Sequence, residues 1–297
     1  MKIFVTGATG FVGSAVVREL LGAGHQVLGL VRSDAAASGL AALGAEPHRG
    51  SIEDLKSLTS GAARADAIIH TAFNHDFTRF KQSCEEDRGV IEALAAPLVG
   101  TTRPLVVTSA LGVLPRGVLV TEETAPASGA AAHPRAVTEQ AVDAVAARGV
   151  RVAVVRLPPS THGDGDPHFA ATLIRIARET RVSAYIDDGA NRWPAVHRLD
   201  AAVLYRLAAE QAQAGRRYHA VAEEGIALRN LADVIGRRLG VPVVSKLRDD
   251  AAQHFGGFAH FAALDVPASS ARTRAELGWA PLQPGLLADL EQGTHFQ

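Results

Sequence analysis

The chain has 297 residues and a formal charge of −1, with 30 Lys and Arg against 31 Asp and Glu. That length suits one large α/β domain or a domain with a cap, and the even charge argues against a nucleic-acid partner, whose footprint would be basic. The single cysteine, Cys84, excludes an intrachain disulfide; no apolar run approaches a membrane span; and the first strand starts at once, so a leader peptide is not expected and the cytoplasm is the expected compartment.

The N-terminal stretch organises the rest. Ile3 to Val5 form an apolar, β-branched run suited to a strand buried on both faces. Glycines follow at 7, 10 and 13, and an amphipathic segment begins immediately. A strand, a glycine turn and a helix N-terminus together make an anion site: backbone N–H groups approach a pyrophosphate and the helix dipole favours its charge. Gly7 suits the tight turn, Gly10 the close approach of phosphate, and Gly13 the packing of helix on strand. The cofactor-binding set expected here is Gly7, Thr9, Gly10, Phe11, Val12 and Gly13. The spacing is G-x-x-G-x-x-G rather than G-x-G-x-x-G.

The run Thr6-Gly7-Ala8-Thr9-Gly10-Phe11-Val12-Gly13 resembles the nucleotide-binding fingerprint of extended and atypical short-chain dehydrogenases/reductases, the NAD-dependent epimerase/dehydratase-like superfamily. The resemblance implies an α/β fold: a Rossmann doubly wound parallel sheet with a smaller C-terminal α/β substrate-binding part. The division is expected near residue 160, giving 1–160 and 161–297, with some late segments returning to the Rossmann core. It also implies a nicotinamide dinucleotide and a small-molecule substrate.

Continuing along the chain, Ser14 to Leu21 read as a helix ended by Gly22 and Gly24, and Gln26 to Val31 as the second strand. NAD binders usually carry an acid at this strand's end, whereas a basic residue accommodates the 2′-phosphate of NADP. Here Val31 is followed by Arg32 and Ser33, so NADP(H) rather than NAD(H) is expected, although Asp34 could swing to a ribose. A second helix closes at 40–43, and a third strand spans 45–49. Gly50 to Leu55 resemble the family segment beside the adenine, with Ser51 on its edge and Ile52 on its face. Ser51 can equally cap a helix over 52–59, with Asp54 as its capping-box partner. The fourth strand, 66–70, runs into Thr71, Ala72 and Phe73, which in the family lie along the ribose and pyrophosphate. His75 stands just beyond, where open α/β sheets place ligands, and a helix over 78–96 follows. The fifth strand, 104–108, leads to Ser109, at the place where the family carries its catalytic Ser or Thr.

The family's Tyr-x-x-x-Lys pair is missing. In the segment Ala131 to Gln140, Ala131 falls at the Tyr position and Arg135 at the Lys position, and none of Tyr185, Tyr205 and Tyr218 has Lys four residues on. Arg135 stays charged and cannot be a base, but it can bond ribose and stabilise a developing oxyanion. His133 has a pKa suited to acid catalysis, and Pro134 at the first helical position would leave it near the N-cap. Ser109, His133 and Arg135 are therefore the catalytic candidates.

A sixth strand, 150–156, precedes Leu157-Pro158-Pro159-Ser160-Thr161-His162-Gly163, which resembles the family's turn against the nicotinamide carboxamide; Pro158 and Ser160 are its cofactor candidates. His162, Asp164, Asp166 and His168 alternate without a recognised metal-ligand spacing, so no metal is expected. A helix over 168–180 and a strand over 182–186 lead to Gly189 to Asp200, which resembles the family segment ending H-V-D-D. Trp193 is there a candidate pocket wall or a core residue. His75, Ser109, His162 and Trp193 form the expected substrate set. Helices over 200–214 and 228–239 and strands over 217–221 and 241–244 follow. The stretch 252–264, rich in Phe and His, reads as a lid or dimer face, and a closing helix spans 270–277. The expected function is an NADP(H)-dependent reductase acting on a carbonyl, activated alkene or imine. An NADPH-binding sensor and a nucleotide-sugar epimerase or dehydratase are the alternatives. A monomer or homodimer, with no membrane partner, is expected.

Overall fold

The computed structural model describes residues 1–129 and 132–296. Strand β1 (Lys2–Thr6) pairs in parallel with β2 (Gln26–Val31), and between them helix α1 (Phe11–Gly22) buries Gly13, Ala15, Val16, Val17 and Leu20. Helix α2 (Asp34–Ala42) and β3 (Glu46–Arg49) extend the sheet outward from β2. Helix α3 (Leu55–Ala63) then carries the chain back across, so that β4 (Ala67–His70) pairs with the other side of β1. The strand order reverses there, which opens a crevice at the carboxyl ends of β1 and β4. Helix α4 (Phe80–Ala95), β5 (Pro104–Ala110), α5 (Ala136–Ala147) and β6 (Arg151–Leu157) continue the parallel alternation.

Beyond β6 come β7 (Ser160–His162), α6 (Phe169–Thr180), β8 (Ser183–Ile186), β9 (Arg192–His197), α7 (Arg198–Gln211) and β10 (Arg217–His219). Strand β10 returns to the first sheet beside β6, completing a seven-stranded parallel order β10-β6-β5-β4-β1-β2-β3. Alternate residues of β1 face opposite layers: Ile3 and Val5 pack with α1 and α7, while Phe4 packs with Leu58 of α3, Ile91 of α4 and Val142 of α5. A sheet covered by helices on both faces explains why its strands are continuous apolar runs.

Strand β11 (Glu223–Ala227), helix α8 (Leu228–Leu239) and strand β12 (Val243–Lys246) follow. Strands β7, β9 and β11 form a second, mixed sheet of three, and β8 and β12 pair in a third. The stretch 252–264 folds as short turns containing α9 (Ala251–Phe255) and α10 (Ala259–Ala262). Its Phe255, Phe258 and Phe261 join a core with Trp193 and Leu173. Helix α11 (Ala271–Leu277) ends at Gly278, whose φ of 63° is left-handed, and α12 (Leu286–Gln292) packs Leu286 and Leu290 into the same core. Sequence periodicity missed β7, β9, β11 and α12, because short strands and a seven-residue helix carry too few repeats to register. Among the described residues no helix is long and apolar enough to cross a membrane.

Candidate functional site

The turn after β1 is built to admit backbone and nothing larger. Gly7 has φ +69°, and a Cβ there would lie 2.8 Å from both Ala72 N and Thr71 Oγ1. A Cβ on Gly13 would meet Gly7 O at 1.9 Å, so α1 can seat against the turn only with glycine at that position. The Gly10 N–H donates to Gly7 O at 2.9 Å, while Thr9 and Gly10 face solvent and Phe11 and Val12 are half-buried. Thr71 Oγ1 donates to Thr6 O at 2.7 Å, tying the end of β4 to the end of β1. The residues fit a dinucleotide pyrophosphate: a cradle that any side chain would fill, at the head of a helix.

At the end of β2, Arg32 is exposed and forms no ion pair among the described residues. Ser33 caps α2, its Oγ accepting from Ala36 N–H at 3.2 Å. Asp34 does not turn toward a ribose site; it pairs with Arg49 at 3.2 Å. The capping role read for Ser51 belongs to Asp54, whose Oδ1 accepts from Lys56 and Ser57 N–H at 3.1 and 3.3 Å. The helix accordingly starts at Leu55 rather than at Ile52. Ser51 and Ile52 remain half-buried on the approach to α3, with the Ser51 hydroxyl holding the Glu53 carboxyl below its ordinary pKa.

Beneath the crevice runs a buried polar chain. Thr6 Oγ1 meets His70 Nδ1 at 2.7 Å, and His70 Nε2 meets Asp87 Oδ1 at 3.0 Å. Asp87 Oδ2 accepts from Thr138 Oγ1 at 2.7 Å and from Arg135 Nη1 at 3.0 Å. Arg135 Nη2 also donates to Thr108 O at 3.3 Å, and the guanidinium lies 3.6 Å from the centroid of the Phe73 ring. Burial alone would raise the Asp87 pKa, but Arg135, His70 and Thr138 outweigh it and hold the carboxyl below the usual range. Arg135 is therefore present at the crevice, but as one half of an ion pair, with much of its positive potential already neutralised.

Imidazoles gather above it. The His75 ring stands 5.1 Å from Phe73 and 6.1 Å from His168. Desolvation, with His168 and Arg135 nearby, lowers its pKa. His133 packs edge-on to Phe80 at 5.7 Å, and its Nδ1 accepts the Arg135 backbone N–H at 3.2 Å. Desolvation, with Arg116, Arg135 and His260 nearby, lowers its pKa too. Helix α5 begins at Ala136, so Pro134 is a turn residue and not the first residue of the helix. Ala131, aligned with the family's tyrosine, lies outside the described residues.

Three further expectations are corrected. Ser109 is 2% exposed and donates to Glu139 Oε1 at 3.0 Å. Strand alternation turns it toward α5, while Thr108 meets Tyr205 of α7 on the opposite face. It cannot present its hydroxyl to a substrate in this arrangement. His162 is buried, with Nδ1 2.7 Å from Asp289 of α12, so it clamps the C-terminal helix rather than lining the crevice. Trp193 is fully buried against Phe169 and Phe258, which makes it core. Pro158 and Ser160 are buried at the β6–β7 junction; the Pro158 carbonyl accepts from Thr161 Oγ1 at 3.3 Å.

The model of the NAD dependent epimerase/dehydratase family matches residues 3–222. The chain belongs to this family. The uncharacterized protein C2A9.02 of Schizosaccharomyces pombe is 48% identical over 300 residues, covering 100% of both chains. A 2-alkyl-3-oxoalkanoate reductase of Stenotrophomonas maltophilia is 28% identical over 274 residues, covering 83% of this chain and 78% of that one. The structure of a nucleoside-diphosphate-sugar epimerase from Pseudomonas aeruginosa superposes with a TM-score of 0.79 at 18% identity, covering 100% of this chain and 97% of that one; it shares the fold. Epimerase/dehydratase family members bind a nicotinamide dinucleotide, and the glycine cradle of this chain fits one.

Within this epimerase/dehydratase frame, the residues that sequence reading passed over are Asp87, His70 and Tyr205. Asp87 carried a signal: it is an acid on the face of α4 that otherwise buries Ser83, Cys84, Val90, Ile91 and Leu94. A carboxylate at an apolar-face position needs a buried partner.

Proposed function

We propose that this chain is an NADP(H)-dependent reductase of the extended short-chain type, acting on a small organic carbonyl compound. The observation that carries the reading is Arg32, a free cation at the end of β2 beside a cradle fitted to pyrophosphate, where an acid would select NAD. The 28%-identical relative, a reductase by name, supports carbonyl chemistry over alkene or imine reduction. Gly7, Gly10, Gly13, Thr71 and Ala72 would hold the pyrophosphate side, Arg32 and Ser33 the 2′-phosphate, Ser51 and Ile52 the adenine, and Pro158 and Ser160 the nicotinamide side. When bound, the dinucleotide supplies hydride to the carbonyl carbon.

The chain's own part is to bind, orient and deliver a proton. As the imidazolium, His133 would donate its Nε2 proton to the developing alkoxide and be left neutral, the form in which Nδ1 accepts the Arg135 N–H. Its lowered pKa leaves it uncharged at neutral pH, so proton delivery strengthens as pH falls. Arg135, held by Asp87, supports Phe73, against which the His75 ring packs. The commitment of Ser109 to Glu139 favours one second reading, dinucleotide binding without turnover. The test is NADPH consumption across aldehydes, ketones, activated alkenes and cyclic imines, with binding followed in parallel. Turnover on carbonyls supports the proposal. Tight binding without turnover on any class supports the second reading. Interconversion of nucleotide sugars would replace both.

A further inference from the structure

A second arginine stands at the glycine turn. Arg198 opens α7, and its guanidinium carbon lies 4.8 Å from the centroid of the Phe11 ring. Phe11 is the first residue of α1, directly after Gly10. Arg198 is half-buried; its Nε is enclosed and has no hydrogen-bond partner. Among the described residues no carboxylate pairs with it, whereas its neighbours Arg192 and Arg206 are paired with Asp265 and Glu19.

The position is constructed rather than incidental. His197 caps α7, its Nδ1 accepting from Leu199 N–H at 3.2 Å, which fixes the first turn from which Arg198 projects. Gly163 has φ +131°, and a Cβ there would lie 2.8 Å from His197 Nε2 and 3.3 Å from Arg198 Cγ. The loop after β7 thus needs glycine both for its backbone conformation and to let the Arg198 stem lie against it. The His168 ring meets Phe11 edge-on at 5.8 Å. In the family pattern H-V-D-D, His197-Arg198-Leu199-Asp200 places arginine where the pattern has an apolar valine, so the fold itself does not demand a cation there. An enclosed guanidinium N–H without an acceptor is costly, and a ligand oxyanion would supply the missing acceptor.

We propose that Arg198 donates to the pyrophosphate of the bound dinucleotide, closing over the glycine turn from the C-terminal part, with the Phe11 ring setting the plane of the guanidinium. This rests on the reading of the turn as a dinucleotide site. Arg32 and Arg198 then divide the work: Arg32 reads the 2′-phosphate and so the choice of cofactor, and Arg198 holds the phosphates common to both cofactors.

The test is titration calorimetry of the full chain and of its R198M, R198K and R32A variants with NADPH, NADH and adenosine 2′-monophosphate, together with competition by inorganic pyrophosphate. R198M is expected to weaken NADPH and NADH by the same factor, roughly ten- to hundredfold. It should blunt competition by pyrophosphate and leave adenosine 2′-monophosphate unaffected. R198K keeps the stem and a charge, and should recover part of the loss, which separates the role from a folding defect. Unchanged dinucleotide affinity in both Arg198 variants would overturn the inference while leaving the site reading intact. A loss confined to NADPH would also overturn it. Failure of the unaltered chain to bind either dinucleotide would overturn the site reading and the inference together.

Discussion

Two buried carboxylate–arginine pairs flank helix α5, and they are built for different ends. Glu139 grips Arg156 through two bonds, at 2.8 and 2.7 Å, and also accepts from Ser109. Arg156 is 1% exposed and reaches on to His219 at 3.1 Å. Burial together with Arg156 pushes the His219 pKa down to about 4, so that ring is a neutral strut. The network borders a cleft of about 520 Å³ that includes Arg217 and Arg272, and these are paired with Asp143 and Glu123. Asp87 and Arg135 form the second pair, held by a single bond with one face of the guanidinium against Phe73 at the crevice. In the first network Glu139 is shared by Arg156, Ser109 and Arg217, so its charge is spent within the protein; in the second, Arg135 leaves one face of its guanidinium to Phe73. Equal chemistry thus yields a strut in one place and, on the proposed reading, a site wall in the other, according to what lies at the end of the chain of bonds.

The sharpest way to break this contrast is Glu139→Gln. It strands the Arg156 charge in the core and should cost about 3–5 kcal/mol of stability, read from urea unfolding; a loss under 1 kcal/mol would show that the network is not a strut. His133→Gln should leave stability nearly untouched, lower turnover by roughly a hundredfold and flatten the rise of rate toward acid pH. An unaltered pH–rate profile would remove His133 as the proton donor. Asp87→Asn should cost about 2–3 kcal/mol, less than Glu139→Gln because Arg135 keeps Thr108 and Phe73. It should also disturb ligand binding, which Glu139→Gln should not in the fraction that stays folded. Arg32→Ala should cost roughly 1.5–3 kcal/mol of NADPH affinity and nothing for NADH; equal affinities for the two cofactors in the unaltered chain would defeat that expectation.

The smallest effect is shared by both regions. Asp87 and Glu139 have folded pKa values below their ordinary ones: burial opposes this, but their arginines prevail. Each contributes stability that is present above the ordinary carboxylate pKa of about 4 and is lost as pH falls through the depressed folded value. Melting temperature measured from pH 7 to pH 3 should therefore fall, and the fall should be shallower in Asp87→Asn and in Glu139→Gln than in the unaltered chain.

How much could be read beforehand depended on distance along the chain. The strand–glycine–helix start was legible because its tightest constraint is local: a Cβ on Gly13 would meet the carbonyl of Gly7, six residues back. The place of Arg32, directly after β2, was legible for the same reason. Ser109 was misread because one step of strand alternation decides which layer a side chain enters, and motif position alone does not fix that step. His162 was misread because its partner, Asp289, lies 127 residues away.

By itself the sequence determined the family, the parallel α/β class and the glycine cradle, because repeating apolar runs and closely spaced glycines act through neighbouring backbone. Only the tertiary structure decided which polar side chains are struts and which face the crevice. Asp87 with Arg135, Ser109 with Glu139, and Arg198 with Phe11 are brought together across 48, 30 and 187 residues of chain by the crossing of helices over the sheet. Burial then makes each charge take the partner that the fold supplies.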